Sequence, residues 1–286
     1  MNPSGNEVQG IPNVLYKYRV WHDECHRRLL ERNEIYFASS SSFNDPFDCP
    51  MTLSFRGESA GQIRRSLLER FKKRHPEVPR KERDAWITKR VLALRNPNEG
   101  RAIAVDIRNF IYGTHGILSL TGDPHNLIMW AHYGCSHEGF CVGLRNKGLL
   151  RLRQHLERSR GLGCDLHRVE YADEYPVFDG FSDSLNDSAM YEATIRTKSR
   201  QWQYEQEYRI VMIKLHSGAL APLIECDRMC TLQDDDIEEV ILGCRMTATH
   251  KNEIKALLRS KGCKIRLFQA ELEEYRYGLK FTEVDY

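Results

Sequence analysis

The chain has 286 residues, 41% of them hydrophobic and 29% charged, with 42 Lys or Arg against 40 Asp or Glu. These proportions are those of a globular protein and exclude disordered or collagen-like chains. The longest apolar runs, such as VILGC from Val240, are far shorter than the roughly 20 residues that a membrane-spanning helix needs. We therefore expect a globular protein that does not enter a membrane.

The N-terminus and the cysteines bear on location and metal binding. The first residues, MNPSGNEVQG, lack the basic segment and apolar stretch of a secretory signal, so we expect a cytoplasmic protein. Nine cysteines without a regular spacing argue against a disulfide framework. Cys226, Cys230, Cys244 and Cys263 lack the short paired spacing of a zinc ribbon, so no metal site is predicted.

The first fifty residues predict a strand, a helix, a strand and a loop. VLYKYR (Val14–Arg19) is rich in β-forming residues, Asp23–Arg32 is helix-like, and Ile35–Phe37 is again β-forming. The following SSSSFNDPFD contains the residue types that bond to their own backbone or fix φ, which indicates a loop. This loop is expected to bring polar groups to the edge of a sheet.

Residues 60–112 follow a helical pattern, with two prolines separating two helices. Between Gly61 and Arg101 there are 13 Lys or Arg against 5 Asp or Glu. Because strand patterns occur on both sides, we interpret 60–112 as a basic helical insertion in one domain that covers 1–286. The stretch Arg64–Arg101 could contact nucleic-acid phosphates, and the alternative is an ordinary solvated helical surface.

The second half of the chain alternates predicted strands and helices. GILSLT and GFCVGL read as strands around a short helix near Leu127, either as a crossover or as a wide hairpin. Gly180–Ser188 is a polar loop and Ala189–Arg200 is helix-like. YRIVMIK is a strand, EEVILG and KIRLFQA flank a helix that Gly262 ends, and Tyr277–Val284 is a last strand. The fold class is α+β.

Two carboxylates, Glu205 and Glu207, stand at the predicted start of a strand, where residues two apart point to one face. Neighbouring carboxylates raise one another's pKa and are costly unless a cation or a ligand needs them. This arrangement suggests catalysis. The alternative is a solvated strand end, with Arg209 as an ion-pair partner on the same face.

Arg19 ends a strand after Tyr18, in an aromatic and basic setting that favours an anion or a ring. A guanidinium binds a diphosphate through paired, charge-assisted hydrogen bonds. The alternative is a surface ion pair with Asp23 or Glu24. Arg19 is therefore a candidate anion-binding residue whose environment decides between the two interpretations.

Ser119 and Thr121 flank Leu120 on an apolar strand, so both hydroxyls point to one side and need partners if they are buried. They could orient a carboxylate. They could equally cap the turn Gly122–Pro124. Both interpretations stay open on the sequence alone.

Trp130, His132, Tyr133 and His137 form an aromatic group whose rings could hold a nucleobase or nicotinamide; the alternative is core packing for Trp130 and structural hydrogen bonding for the two histidines. Asn44 and Asp45 of the loop could line the same site or simply form a turn. No P-loop, no G-x-G-x-x-G after a strand, no H-E-x-x-H and no G-x-S-x-G occurs, which disfavours the corresponding enzyme classes.

The succession LYKYR, FNDPFD, SLT, MWAHYG and WQYEQEYRI, from Leu15 to about Lys214, resembles the bacterial family called domain of unknown function 2971. That family name implies no activity. The order of Arg19, Ser119-Leu120-Thr121 and Glu205-Gln206-Glu207 is similar to that of arginine-serine-glutamate ADP-ribosyltransferases, with Thr121 where those enzymes usually have serine.

The second resemblance implies an ADP-ribosyltransferase-like core with a mixed, mainly antiparallel sheet, and NAD as substrate. In that case Arg19 holds the diphosphate, Ser119 orients the catalytic Glu207, Thr121 shapes the nicotinamide pocket and Glu205 positions the acceptor. Glu207 would stabilise the oxocarbenium ion formed when nicotinamide leaves.

The acceptor in such a reaction would be a protein, a nucleic acid or water, and a toxin or anti-phage effector would fit. Two other hypotheses remain. One is a non-catalytic nucleotide or nucleic-acid binding module. The other is a nuclease-like or phosphotransferase enzyme on a related scaffold.

Overall fold

The computed structural model describes residues 10–49, 52–54, 59–94, 96–179, 188–217, 219–262 and 264–286. The chain divides into two compact units. The first, which we call the sheet unit, comprises Met1–Ser42, Thr114–Val169 and Gln201–Tyr286, and the second, the helical unit, comprises Phe43–Gly113 and Glu170–Arg200. The prediction of one domain over 1–286 stays a prediction.

The described residues form helices and strands with the following bounds. The α-helices are α1 (Glu24–Glu31), α2 (Ala60–Arg74), α3 (Arg80–Leu94), α4 (Pro97–Thr114), α5 (Leu127–Tyr133), α6 (Asn146–Arg160), α7 (Ser188–Arg196), α8 (Glu225–Arg228) and α9 (Ala248–Lys261). The strands are β1 (Val14–Arg19), β2 (Glu34–Tyr36), β3 (Thr52–Ser54), β4 (His115–Thr121), β5 (Phe140–Arg145), β6 (Leu162–Arg168), β7 (Glu170–Ala172), β8 (Val177–Asp179), β9 (Thr197–Ser199), β10 (Glu207–His216), β11 (Ala219–Ala221), β12 (Met229–Thr231), β13 (Ile237–Leu242), β14 (Arg266–Leu272) and β15 (Leu279–Glu283).

Most predicted elements are present. The first strand and helix are confirmed as β1 and α1, and Asp23 caps α1 by accepting from the backbone N–H groups of Cys25 and His26. The β-α-β unit near the end is confirmed by the parallel pairing of β13 with β14 around α9, which Gly262 ends with φ 65°. Most of the predicted loop Gly180–Ser188 lies outside the described residues.

Three features differ from the predictions. Residues 60–112 hold three helices rather than two, because α4 continues the block to Thr114. The wide-hairpin alternative for β4 and β5 is wrong, since β1 lies between them and pairs with both in antiparallel orientation. The long helix α6 and strand β6 were not predicted at all.

The sheet unit is built on a nine-stranded sheet. Its order is β11-β10-β4-β1-β5-β13-β14-β15, and β6 also pairs with β10. All pairs in it are antiparallel except that of β13 with β14. A mainly antiparallel α+β fold is thereby confirmed. No helix among the described residues has the length and apolarity needed to cross a bilayer.

Side chains on the two faces of this sheet form different clusters. On one face, which we call the helical face, Leu15 and its partner Leu144 pack with buried residues of α1, α6 and α9. On the other, the aromatic face, Tyr18 and its partner Cys141 pack with Trp130 of α5. Since paired residues of antiparallel strands share a face, the register assigns the residues paired across these strands to one face or the other.

The helical unit has its own small core, made by α2 and α3. Ser59 caps α2 through a capping box with Gln62, where each side chain receives the other's backbone N–H. Arg64, Arg80 and Arg83 all lie within 3.9 Å of Asp84, so part of the block's positive charge is neutralised internally. Nucleic-acid binding by this block stays a prediction.

Two glycines allow a close backbone crossing in the sheet unit. The backbone N–H of Gly243 donates to the carbonyl of Gly139 at 2.9 Å, and the backbone N–H of Arg245 donates to the carbonyl of His137 at 3.0 Å. A Cβ on Gly243 would lie 2.1 Å from the His137 carbonyl oxygen, and one on Gly139 would lie 2.3 Å from that of Arg19. Neither position has room for a side chain.

We expect Gly243→Ala to lower the free energy of unfolding by more than about 2 kcal/mol, because the rigid backbone would have to move. Gly163→Ala is the control, since its Cβ would first meet the flexible Ile213 side chain at 3.2 Å. Urea denaturation of both variants measures the difference. Equal stability of the two would contradict this packing.

Candidate ligand-binding site

The hydroxyl strand and the carboxylate strand are neighbours in the sheet. β4 pairs with β10 so that Thr121 lies opposite Glu207 and Ser119 opposite Arg209. Directly opposite residues share a face, so these four side chains lie on one side of the sheet. Thr121 also pairs with Tyr16 of β1, which identifies that side as the aromatic face.

Glu205 and Glu207 do not lie on one strand face, which corrects the prediction made from their spacing. Glu205 ends a 3-10 helix over Arg200–Glu205, and only Glu207 belongs to β10. Gln206 between them has φ 45°, a left-handed conformation that is uncommon for a residue with a side chain. This backbone turn separates the two carboxylates and gives each a different environment.

Glu207 is held in a buried ion pair with Arg209. Arg209 donates from Nε to Glu207 Oε1 at 2.8 Å and from Nη2 to Oε2 at 3.0 Å, a two-point contact. The two side chains are 5% and 0% exposed. The interpretation of a solvated strand end is therefore wrong, although Arg209 is indeed the partner on the same face.

A buried pair of this kind makes each charge depend on the other, because a lone buried charge is strongly destabilising. We expect Arg209→Met to cost about 3–5 kcal/mol of unfolding free energy. The double variant Glu207→Met with Arg209→Met should cost less than the sum of the single changes, by about 1–3 kcal/mol. Urea unfolding of all four proteins measures this coupling.

Arg200→Met provides the control for this cycle, because Arg200 donates from its Nε to both carboxylate oxygens of Asp173 and both side chains are exposed. It should change stability by less than about 1 kcal/mol. Additive effects of the two Met substitutions at 207 and 209 would show that the pair is not coupled.

Glu205 is buried and connects β4, α5 and the 3-10 helix. The hydroxyl of Tyr133 donates to its Oε1 at 2.7 Å, and the hydroxyl of Thr121 donates to its carbonyl at 2.6 Å. Thr121 Oγ1 also accepts from the backbone N–H of Asp123 at 3.1 Å. Thr121 thus caps the following turn and holds the Glu205 backbone with the same hydroxyl.

Four aromatic side chains near Glu205 lie close to one another, and we call them the aromatic cluster: His132, Tyr133, Trp202 and Tyr204. His132 lies 6.1 Å from Trp202 and 6.3 Å from Tyr204, both edge-on, and 6.2 Å from Tyr133. Trp202 and Tyr204 are 6.0 Å apart. His132 is exposed and the other three are half-buried, so the cluster presents rings to solvent.

Trp130 and Tyr18 occupy the layer beneath this cluster. Their rings meet edge to face at 5.1 Å, and both side chains are buried. The indole of Trp130 donates to the carbonyl of Pro124 at 2.8 Å, and the Tyr18 hydroxyl donates to that of Asp123 at 3.1 Å. Both are core residues in this structure, which corrects their prediction as residues that contact a ring ligand.

Arg19 lies on the opposite face of the sheet from Glu207. It pairs with Phe140 and stands four residues from Leu15, so it belongs to the helical face. Burial lowers the pKa of Arg19 to about 10, and the charge of Asp23 opposes that shift. The structure does not bring Arg19 together with Ser119 and Glu207 on one face.

The predicted alternative for Arg19, a surface ion pair with Asp23 or Glu24, is also not seen among the described residues. Its guanidinium instead lies near its own chain, with Nη1 3.4 Å from the Tyr18 carbonyl oxygen. Burial, and then the charge of Arg19, lower the pKa of His26 to about 4. Arg19 therefore faces the first turn of α1.

Asn44 and Asp45 belong to the helical unit. Asp45 Oδ1 accepts from the backbone N–H of Phe47 at 2.9 Å, and the backbone carbonyl of Asp45 accepts from the backbone N–H of Asp48 at 3.1 Å. These bonds form the turn that the sequence offered as the alternative. A ligand-binding role for Asn44 and Asp45 stays a prediction.

Sequence reasoning did not single out Trp202, Tyr204 or Asn126. Asn126 accepts from the N–H groups of Ile128 and Met129 as the cap of α5 and donates to the Tyr204 carbonyl at 2.7 Å. It thereby fixes α5 against the 3-10 helix. The available signal was the alternation of rings and carboxylates in WQYEQEY, which places Trp202 and Tyr204 immediately before the glutamates.

A family model described as "Protein of unknown function (DUF2971)" matches residues 129–210 of the chain. No curated protein and no solved structure matches the chain. The matched segment starts with MWAHYG and ends with WQYEQEYRI, and these two motifs are the ones that meet in the aromatic cluster. LYKYR, FNDPFD and SLT precede the matched segment.

Proposed function

We propose that the sheet unit binds the planar ring of a nucleotide, a nucleobase or a nicotinamide, at the aromatic cluster. The observation that carries this proposal is the exposed His132 beside the half-buried Trp202 and Tyr204. Rings that stack on a base contribute about 1–3 kcal/mol each and accept any base, because every base has a π-face.

Two of the four rings, Tyr133 and Tyr204, are held in place by contacts within the protein, which favours binding. Tyr133 is fixed by its hydrogen bond to Glu205, and Tyr204 by the Asn126 bond to its carbonyl. Both rings also pack on the buried cluster around Trp130. A preordered surface loses little side-chain entropy on binding, so more of the stacking energy remains as affinity.

Binding is favoured over catalysis as the primary function by the environments of two residues that NAD cleavage would need, the predicted catalytic Glu207 and the predicted diphosphate ligand Arg19. Both oxygens of Glu207 accept hydrogen bonds from Arg209, and the pair is buried. Arg19, the proposed diphosphate ligand, lies on the opposite face of the sheet. A module that binds nucleotides without cleaving them needs neither residue in the site.

The proposal predicts that adenosine, AMP or NAD quenches tryptophan fluorescence with saturation, and that Trp202→Leu and His132→Ala each weaken binding by about tenfold. Trp86→Leu is the matched control, because Trp86 is also partly exposed but belongs to the helical unit, where its ring packs at a tilt against that of Phe71. Fluorescence and calorimetric titrations measure the affinities. Equal affinities for the Trp202 and Trp86 variants would refute the site.

A second candidate, NAD cleavage with transfer of ADP-ribose to a protein, a nucleic acid or water, is favoured by one observation. Thr121 and Ser119 lie on the strand beside Glu207 and on its face, as the transferase resemblance requires of its hydroxyl and carboxylate strands. If this activity exists, the wild type releases nicotinamide from NAD and Glu207→Gln loses at least about 100-fold of that rate.

Two further measurements make the result on NAD cleavage decisive. Circular dichroism must show that Glu207→Gln is folded, because the substitution also alters the buried pair with Arg209. The wild type must be assayed with protein and nucleic-acid acceptors as well as in water alone. No nicotinamide release from the wild type under any of these conditions would leave ring binding as the only function proposed.

A further inference from the structure

A cleft of about 360 Å³ opens in the sheet unit between the first turn of α9, the end of β14 and two chain turns. Its walls include His137, Cys244, Arg245 and Lys251. The volume falls within the range of about 300–1,000 Å³ that small-molecule pockets have. His137, one of the rings that the sequence offered for ring binding, lines this cleft, whereas no residue of the aromatic cluster does.

Two cations define the cleft's chemistry. The Lys251 ammonium has no hydrogen-bond or ion-pair partner among the described residues, and Lys251 stands in the first turn of α9. A cation there opposes the positive end of the helix dipole, so Lys251 is unfavourably placed unless an anion joins it. No acidic residue occupies that first turn.

Arg245 lies on the other side of Cys244 from the crossing glycine, Gly243. Burial lowers the pKa of His137, and the charge of Arg245 adds to that shift; burial raises the pKa of the Cys244 thiol, and the charge of Arg245 opposes that rise. Its contact with Glu138, at 3.6 Å, joins two exposed groups and is therefore weak. Its Nη1 also donates to the Ser136 carbonyl, over a long 3.4 Å, so a stronger anionic partner would have two weak contacts to replace.

The turn that supplies His137 has an unusual backbone. Cys135, Ser136 and His137 have φ values of 49°, 52° and 69°, three consecutive left-handed residues that are not glycine. Conformations of this kind are costly and persist where the surrounding structure enforces them. The buried Nδ1 of His137 has no hydrogen-bond partner in the part of the chain that the structure describes.

We propose that this cleft binds the phosphate group of a small phosphorylated metabolite, with Arg245 and Lys251 as its cationic contacts. Phosphate suits two converging cations better than a carboxylate does, because a phosphate monoester carries about −1.5 to −2 charges at pH 7.

One carboxylate, Glu271, lines the cleft together with the two cations, so the charged side chains of the lining remain net positive. Glu271 accepts the hydroxyl of Thr282 at 2.8 Å, and Glu253 of α9 accepts the Trp21 indole N–H at 2.6 Å. Leu272, which is 74% exposed, and Ala270 give the cleft an apolar wall for the carbon skeleton of the metabolite. This site is independent of ring binding at the aromatic cluster.

Calorimetric titration with inorganic phosphate, ribose 5-phosphate and ribose tests the proposal. Ribose 5-phosphate should bind with saturation, ribose should not, and Lys251→Gln and Arg245→Gln should each weaken binding by about tenfold or more. Lys255→Gln is the matched control on the same helix, since the Lys255 ammonium is bonded to the Asp285 carbonyl at 2.8 Å. Its affinity should stay within about twofold of wild type.

Three outcomes would overturn the proposal. The first is no saturable binding of either phosphate at concentrations up to about 10 mM. The second is binding that both cleft variants leave unchanged. The third is binding to phosphatidylcholine vesicles that contain phosphatidic acid without binding to ribose 5-phosphate, which would identify a lipid headgroup instead. Thermal unfolding of each variant confirms that its fold is intact.

Discussion

Two hydrogen bonds to Glu205 position most of the candidate site. Thr121 holds the Glu205 backbone to the end of β4, and Tyr133 holds its carboxylate to α5. The chain then turns through the left-handed Gln206 into β10, where Glu207 meets Arg209 inside the protein. One short segment thus places rings at the surface and a charge pair in the interior.

Much of the fold could be predicted because its local signals agree with its tertiary environment. The Asp23 cap, the apolar β-formers of β13 and β14, and the glycine that ends α9 each specify an element without reference to distant residues. Leu149, Leu152 and Leu156 of α6 have an equally clear helical spacing, so this helix was also predictable from the sequence. The position of β1 between β4 and β5 depends on strand pairing, which local patterns do not specify.

The candidate site was predictable in its residue types but not in its geometry. The sequence identified the Thr121, Tyr133 and Glu205 motifs, yet spacing alone implied an unbroken strand through Gln206. The left-handed backbone there removed Glu205 from the face of Glu207. Arg19 was misplaced for a similar reason, because the register of β1 with β4 decides which face it occupies, and a shift of one residue would reverse it.

The most direct test of ring binding is the set of tryptophan indole N–H signals in a ¹⁵N-labelled protein. The chain has four tryptophans, so Trp202 can be assigned from the signal that Trp202→Leu removes. Addition of AMP or NAD should shift the Trp202 signal with saturation and leave that of Trp86 unmoved. No shift at millimolar nucleotide, or a shift confined to Trp86, would contradict the account of the aromatic cluster as the ligand site.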